Sequence, residues 1–240
     1  MQVQLCVQKG GPNMFKKTQL FGVIAAAGLL MGPVIGAKAA GDVGTATTQV
    51  TAGFIAGQGP TNPVDPANPG GGPITDPSHP GTGATGALRL NYVSKLISFG
   101  TQPINSATTK RVGTSGSDMI GTYQSAQVAD ERGTNAGWAL KVSGTPLKSG
   151  TDELAGATLK LPAGQVVTES GIDNGAVASE VSNALGTGGT LLSAAGGKGG
   201  GLTVDRWTPA QTELTIIGGT AKAADYSTNL TWTLQDSPTS

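Results

Sequence analysis

Few residues of this 240-residue chain could carry acid–base, nucleophilic or metal chemistry, and their positions narrow the function at once. There is one histidine, His79, and one cysteine, Cys6. His79 stands in a proline-rich run, a poor platform for a positioned base. A Ser-His-Asp triad would have to recruit it, because the chain offers no other imidazole. Zinc sites of the usual nitrogen and sulfur kind need more imidazoles and thiolates than are present. Carboxylates remain, in the pairs Asp130-Glu131 and Asp152-Glu153 and singly at Asp173 and Asp205. Two opposed carboxyls are the apparatus of glycoside hydrolysis. Adjacent Asp and Glu in turn sequences are more commonly solvated, however, and Asp is an ordinary turn residue. No accompanying motif favours an enzyme. The expectation is a non-catalytic protein with no catalytic residues, no metal and no cofactor.

Two other glycine- or polar-rich features invite a chemical reading. Residues 196–201, Gly-Gly-Lys-Gly-Gly-Gly, lack the Gly-Lys-Ser/Thr order of a phosphate loop, and no parallel βαβ unit surrounds them. They are read as a flexible hairpin loop. Asp130 and Arg132 flank a polar turn, either as a polar contact to a ligand or as an Asp capping the turn with Arg132 paired to it. The second reading is preferred.

Composition describes the scaffold that must position these groups. Only 12% of residues are charged, against about a quarter in ordinary soluble domains, while 39 are glycine and 14 proline. Fifteen basic and fifteen acidic residues cancel without forming blocks, so nucleic-acid binding, which needs a basic face, is set aside. The surface must be covered by Thr, Ser, Asn and Gln, residues that favour strands and turns.

Residues 1–39 read as a leader and secretory signal peptide. Lys16 and Lys17 precede an apolar run from Leu20 to Met31, and Ala37-Lys38-Ala39 offers a small-residue cleavage site. The run is short for a transmembrane span, so none is expected in the mature chain. Met14 stands directly before this pattern, so translation starts at either Met1 or Met14. Cys6 lies in the leader, and cleavage after Ala39 leaves a cysteine-free protein in an oxidising compartment. Leu161-Pro162-Ala163-Gly164 lacks the Thr-Gly of a sorting signal and has no hydrophobic tail after it. Attachment to the cell would then be by binding.

Residues 40–85 form an N-terminal segment and a Pro/Gly-rich spacer. Half of the prolines fall within residues 60–80, which predicts an extended, partly polyproline-II spacer. Weak alternation through Thr48, Val50, Ala52 and Phe54 slightly favours a strand within residues 42–59. Residues 86–240 carry short alternating runs at 88–93, 123–128, 138–143, 157–161, 165–168, 191–194, 212–217 and 226–234, divided by turn signals. Val177, Val181, Ala184 and Leu185 have helical spacing, which allows one short helix over 176–185. The fold class is all-β, an antiparallel β-sandwich with Gly/Thr-rich loops, preceded by the Pro-rich spacer.

Two of these runs carry a specific pattern. In the first, Asp130-Glu131-Arg132-Gly133 leads to Gly137-Trp138-Ala139-Leu140; in the second, Tyr226 leads to Leu230-Thr231-Trp232-Thr233-Leu234 and then Asp236 and Pro238. With an aromatic-glycine step at Phe99-Gly100, the chain resembles the WxL-domain surface proteins of Gram-positive bacteria, as a small member. The resemblance implies non-covalent attachment to the cell wall, with peptidoglycan or another wall polymer as ligand. It also implies association with other surface proteins of the same gene cluster, and a secreted protein at the cell wall and cell surface. On this resemblance the motif residues, structural or wall-binding, are Asp130, Arg132, Gly133, Gly137, Trp138, Leu140, Tyr226, Trp232 and Leu234. The residue pattern favours burial of Trp138 and Trp232, each sharing its strand face with Leu or Val, over stacking on sugars. Trp207, beside Arg206 and Thr208-Pro209, is the better candidate for an exposed ligand contact.

Overall fold

The computed structural model describes residues 46–59 and 61–237. The targeting segment, Cys6 and both candidate start methionines lie outside them. Residues 46–51 belong to a first unit and are exposed, without regular structure. Ala52–Ser240 is the compact second unit, and every strand among the described residues lies in it.

The strands in chain order are β1 (Leu88–Val93), β2 (Thr109–Val112), β3 (Gln124–Asp130), β4 (Trp138–Gly144), β5 (Lys148–Ser149), β6 (Asp152–Glu153) and β7 (Thr158–Lys160). There follow β8 (Gln165–Thr168), β9 (Ala176–Ala178), β10 (Gly189–Ala194), β11 (Gly201–Trp207), β12 (Glu213–Ile216) and β13 (Leu230–Gln235). They form sheets ordered β1-β3-β11-β8, β13-β4-β10-β9 and β2-β12-β7, with β5-β6 as a short ladder. Every strand ladder is antiparallel. The inner faces meet in one core that includes Val128, Trp138, Leu140, Leu192, Trp207 and Leu214. The protein is an all-β sandwich, as its alternating sequence predicts.

The central strands β3 and β11 depart from simple alternation. Ala126 and Val128 face the core, so Ser125, Gln127 and Ala129 point to the opposite face, yet all seven residues of β3 are buried. The cover on that outer face is the proline-rich run itself. Val64 N–H donates to Gln127 Oε1 (3.0 Å), and Gln127 Nε2 donates back to the Val64 carbonyl (2.9 Å). Asn91 Nδ2 donates to the Asn62 carbonyl, and Arg206 Nη1 to that of Pro66. The expected spacer is therefore a strap packed on the domain. Proline does prevent it from forming a ladder, but buried side-chain amides take the place of a neighbouring strand.

Three further expectations are corrected. Residues 176–185 are not helical: β9 pairs with β10, and Val181 exchanges backbone hydrogen bonds with Leu161. Asn183 Oδ1 accepts from the Leu159 and Leu185 amides, a local bond that competes with a helix. Residues 46–59 contain no strand, and Phe54 is 94% exposed. Residues 196–201 do not close a hairpin; they cross from β10 in one sheet to β11 in another.

Candidate functional site

The two Trp-x-Leu strands lie side by side. In the antiparallel ladder between β4 and β13, Leu234 is opposite Leu140 and Trp232 is opposite Val142. Trp138 itself is opposite Ala194 of β10 and is completely buried. Its indole Nε1 donates to the Gly199 carbonyl at 3.1 Å. Gly199 has φ +84° at its second neighbour Gly197 and +83° at itself, and a side chain there would strike the Trp138 indole. The glycine-rich crossover thus caps a buried tryptophan.

Arg132 joins the two motifs. Its Nε and Nη2 donate to Asp130 Oδ1 and Oδ2 at 2.9 and 2.8 Å, a two-pronged fork on one carboxylate. Nη2 also donates to the Gly137 carbonyl (2.9 Å), just before Trp138, and Nη1 to the Asp236 carbonyl (3.4 Å), just after β13. The Asp130 carboxylate holds the guanidinium charge firmly, raising its already high pKa. Gly133 and Gly137 have φ of +72° and +83°, and a Cβ on Gly137 would come within 2.6 Å of the Ala194 carbonyl. Asp-x-Arg-Gly and Gly-Trp-x-Leu are therefore parts of one clasp that fixes where β4 and β13 begin and end.

Neighbouring Glu131 is held likewise, accepting two bonds from the buried Arg89 at 2.9 and 3.0 Å, which lowers its pKa. Each carboxylate of the Asp130-Glu131 pair is thus clamped by its own arginine, Asp130 buried and Glu131 partly open to solvent. Asp152 pairs with Lys222, and Asp173 accepts from the Gly175 amide.

Trp207 is buried, not exposed, at 2%. It follows Thr203 and Asp205 along the core-facing side of β11, opposite Gln124 of β3. The apolar stripe that would have revealed this is interrupted by Asp205, a fully buried carboxylate whose oxygens have no hydrogen-bond partner among the described residues. Burial raises its pKa to about 7.

The one motif tryptophan that reaches the surface is Trp232. It is half-buried at the edge strand β13 and lines a groove of about 710 Å³. One wall is the chain that follows β1, including Phe99; the other is β13 with Tyr226 and Leu230. Leu159, Leu214 and Ile216 form the apolar floor, and Asn105, Thr228, Asn229 and Lys222 add polar groups. An apolar cleft with a few convergent polar groups is the usual form of a ligand site. Sequence reasoning missed this groove because its walls come from segments more than a hundred residues apart.

Comparison with known proteins gives these motifs their meaning. Residues 41–238 match the family model described as "WxL domain surface cell wall-binding". The chain belongs to the WxL family. No curated protein and no solved structure matches it. The WxL match begins well before the first Trp-x-Leu strand and takes in the strap, in keeping with the strap's packing on the sandwich. A WxL domain is a surface cell wall-binding module, and the protein accordingly belongs at the cell surface. Among the described residues no helix is long and apolar enough to cross a membrane.

Proposed function

We propose that this WxL protein is a non-catalytic, secreted protein that holds itself to the wall non-covalently by binding peptidoglycan in the groove beside β13. The observation that carries the reading is the half-buried Trp232 in an apolar cleft, within a domain of a wall-binding family. Trp232 and Phe99 offer flat apolar faces to sugar rings or peptide side chains, while Asn105, Asn229 and Thr228 supply donors and acceptors on the rim. The motif residues at the Arg132 clasp act structurally, by fixing the strand that presents Trp232.

A second reading is favoured by one specific feature. β13 is an edge strand, and an open edge beside an apolar groove suits an extended polypeptide added as a further strand. The protein would then be an interaction subunit that reaches the wall through partner surface proteins.

Sedimentation with purified peptidoglycan separates the two. Direct binding predicts that the purified protein pellets with clean peptidoglycan. Retention only when surface-protein extract is added, with recovery of a partner by pull-down, would replace the first reading with the second.

A further inference from the structure

The single histidine of the chain sits between two carboxylates. His79 Nδ1 is 3.0 Å from Asp76 Oδ2, and Nε2 is 3.1 Å from Asp118 Oδ1. The imidazole is mostly buried, its side chain 16% exposed. Asp76 and His79 belong to the strap, whereas Asp118 lies in the loop between β2 and β3. We propose that His79 is a protonation latch whose charged form pins the middle of the strap to the β-sandwich.

An ionised carboxylate only accepts hydrogen bonds, and a neutral imidazole carries a single N–H. A neutral His79 can therefore satisfy one of its two neighbours and must set a lone pair against the other. Both carboxylates already accept hydrogen bonds from other donors. Asp118 Oδ2 accepts from Tyr92 Oη (3.0 Å) and from the Lys95 amide (2.7 Å). Asp76 Oδ1 accepts from the Ser78 hydroxyl (2.7 Å) and amide (2.9 Å); these bonds, with His79, hold its pKa at about 2. Ser78 Oγ is also 2.9 Å from His79 Nδ1 and could turn its proton there. That would break its bond to Asp76 and leave the Nδ1 lone pair facing Asp76 Oδ2. Only the imidazolium offers an N–H and a positive charge to both carboxylates at once while Ser78 Oγ still donates to Asp76.

The remaining groups packed around the ring do not supply a substitute charge. Tyr92 lies against it at 6.4 Å between ring centres, tilted by 60°. Burial and Asp118 raise the Tyr92 pKa, so the phenol stays neutral. Lys95 Nζ points to the Ser78 carbonyl (3.5 Å). Elsewhere the strap is held by contacts that do not titrate near neutrality: Gln127 at Val64, Asn91 at Asn62 and Thr82 at Asn91. Loss of the His79 charge would loosen the segment around Asp76 and His79 while leaving both ends attached. Histidine is the side chain whose ordinary titration spans pH 5–8, and at a cell surface the external pH reaches it directly.

The test uses the full-length protein. Hydrogen exchange of the peptide spanning residues 74–82, corrected for intrinsic pH dependence, should show protection at pH 5.5 that falls about tenfold or more by pH 8. His79→Gln should be unprotected at both values. Asp118→Asn, which supplies the donor that a neutral ring can accept, should make protection independent of pH. The sole histidine also gives one assignable ring spectrum, which should show both nitrogens protonated wherever the peptide is protected. Equal corrected protection at both pH values in the wild type, or an Asp118→Asn variant that still switches, would overturn the latch.

Discussion

Arg132→Ala should destabilise the domain by about 3–5 kcal/mol, because it leaves the Asp130 carboxylate buried without its counter-charge. The Asp130 side chain is only 1% exposed, so water cannot replace the guanidinium. The same truncation frees the carbonyls of Gly137 and Asp236, which mark the start of β4 and the end of β13. For a domain of this size, thermal unfolding should shift down by about 10 °C or more. Arg132→Lys should fall between, since an ammonium cannot span both carboxylate oxygens. Adding Asp130→Asn to Arg132→Ala should recover part of the loss by removing the stranded charge. A change below about 1 kcal/mol on Arg132→Ala would mean that the clasp is not what joins the two motifs.

Asp205→Asn should act in the opposite direction, and only when the pH is high. Asp205 is opposite Ala126 and Val166, both packed in the core, and neither of its oxygens has a hydrogen-bond partner among the described residues. Gly164 backs onto it, leaving no room for a counter-ion from that side. Its folded pKa of about 7 exceeds the ordinary 3.8. Below 3.8 both states hold the proton and burial carries no penalty. As the pH rises towards 7 the unfolded chain releases it while the folded chain retains it, so stability falls across this window and then levels. Three units correspond to about 4 kcal/mol, an upper figure for a core that can admit water. Asp205→Asn should unfold like the wild type near pH 4 and be up to about 4 kcal/mol more stable at pH 8. Denaturant unfolding at the two values measures this directly. A pH-independent difference would show that the carboxylate has a partner in solution.

These residues also mark how far the sequence can be read. β13 was legible because it is covered on one face by the core and alternates accordingly through Leu230-Thr231-Trp232-Thr233-Leu234, and β4 because its sequence alternates from Trp138 to Ser143 although Ala139 is buried as well. The spacing around their tryptophans carried the family resemblance. β11 was illegible for the converse reason: Thr203, Val204 and Asp205 are all buried, and the core face itself carries the polar Thr203 and Asp205. Trp207 looked exposed in a sequence that hides a core strand. The strap shows a different limit. Proline composition marks the segment, but Gln127, 63 residues away, satisfies the Val64 backbone, and no local pattern announces such a partner. His79 read as idle for the same reason, since Asp118 is distant in sequence. The groove is assembled by tertiary packing from strand edges and loops, and of its lining the motifs marked Phe99, Tyr226, Leu230 and Trp232 beforehand.

The central claim is that the surface holding the wall is the groove at β13, and it is tested most directly by peptidoglycan binding of Trp232→Ala. Full-length wild type, Trp232→Ala and Phe99→Ala, the last from the opposite wall, would be titrated with purified peptidoglycan and bound protein measured by sedimentation. Thermal midpoints would be recorded in parallel to establish that each variant is folded. Truncating a central aromatic contact should weaken binding by about tenfold or more. Both variants should do so while keeping a cooperative unfolding transition. Wild-type affinity in both folded variants would contradict the account and place the wall-binding surface elsewhere on the sandwich.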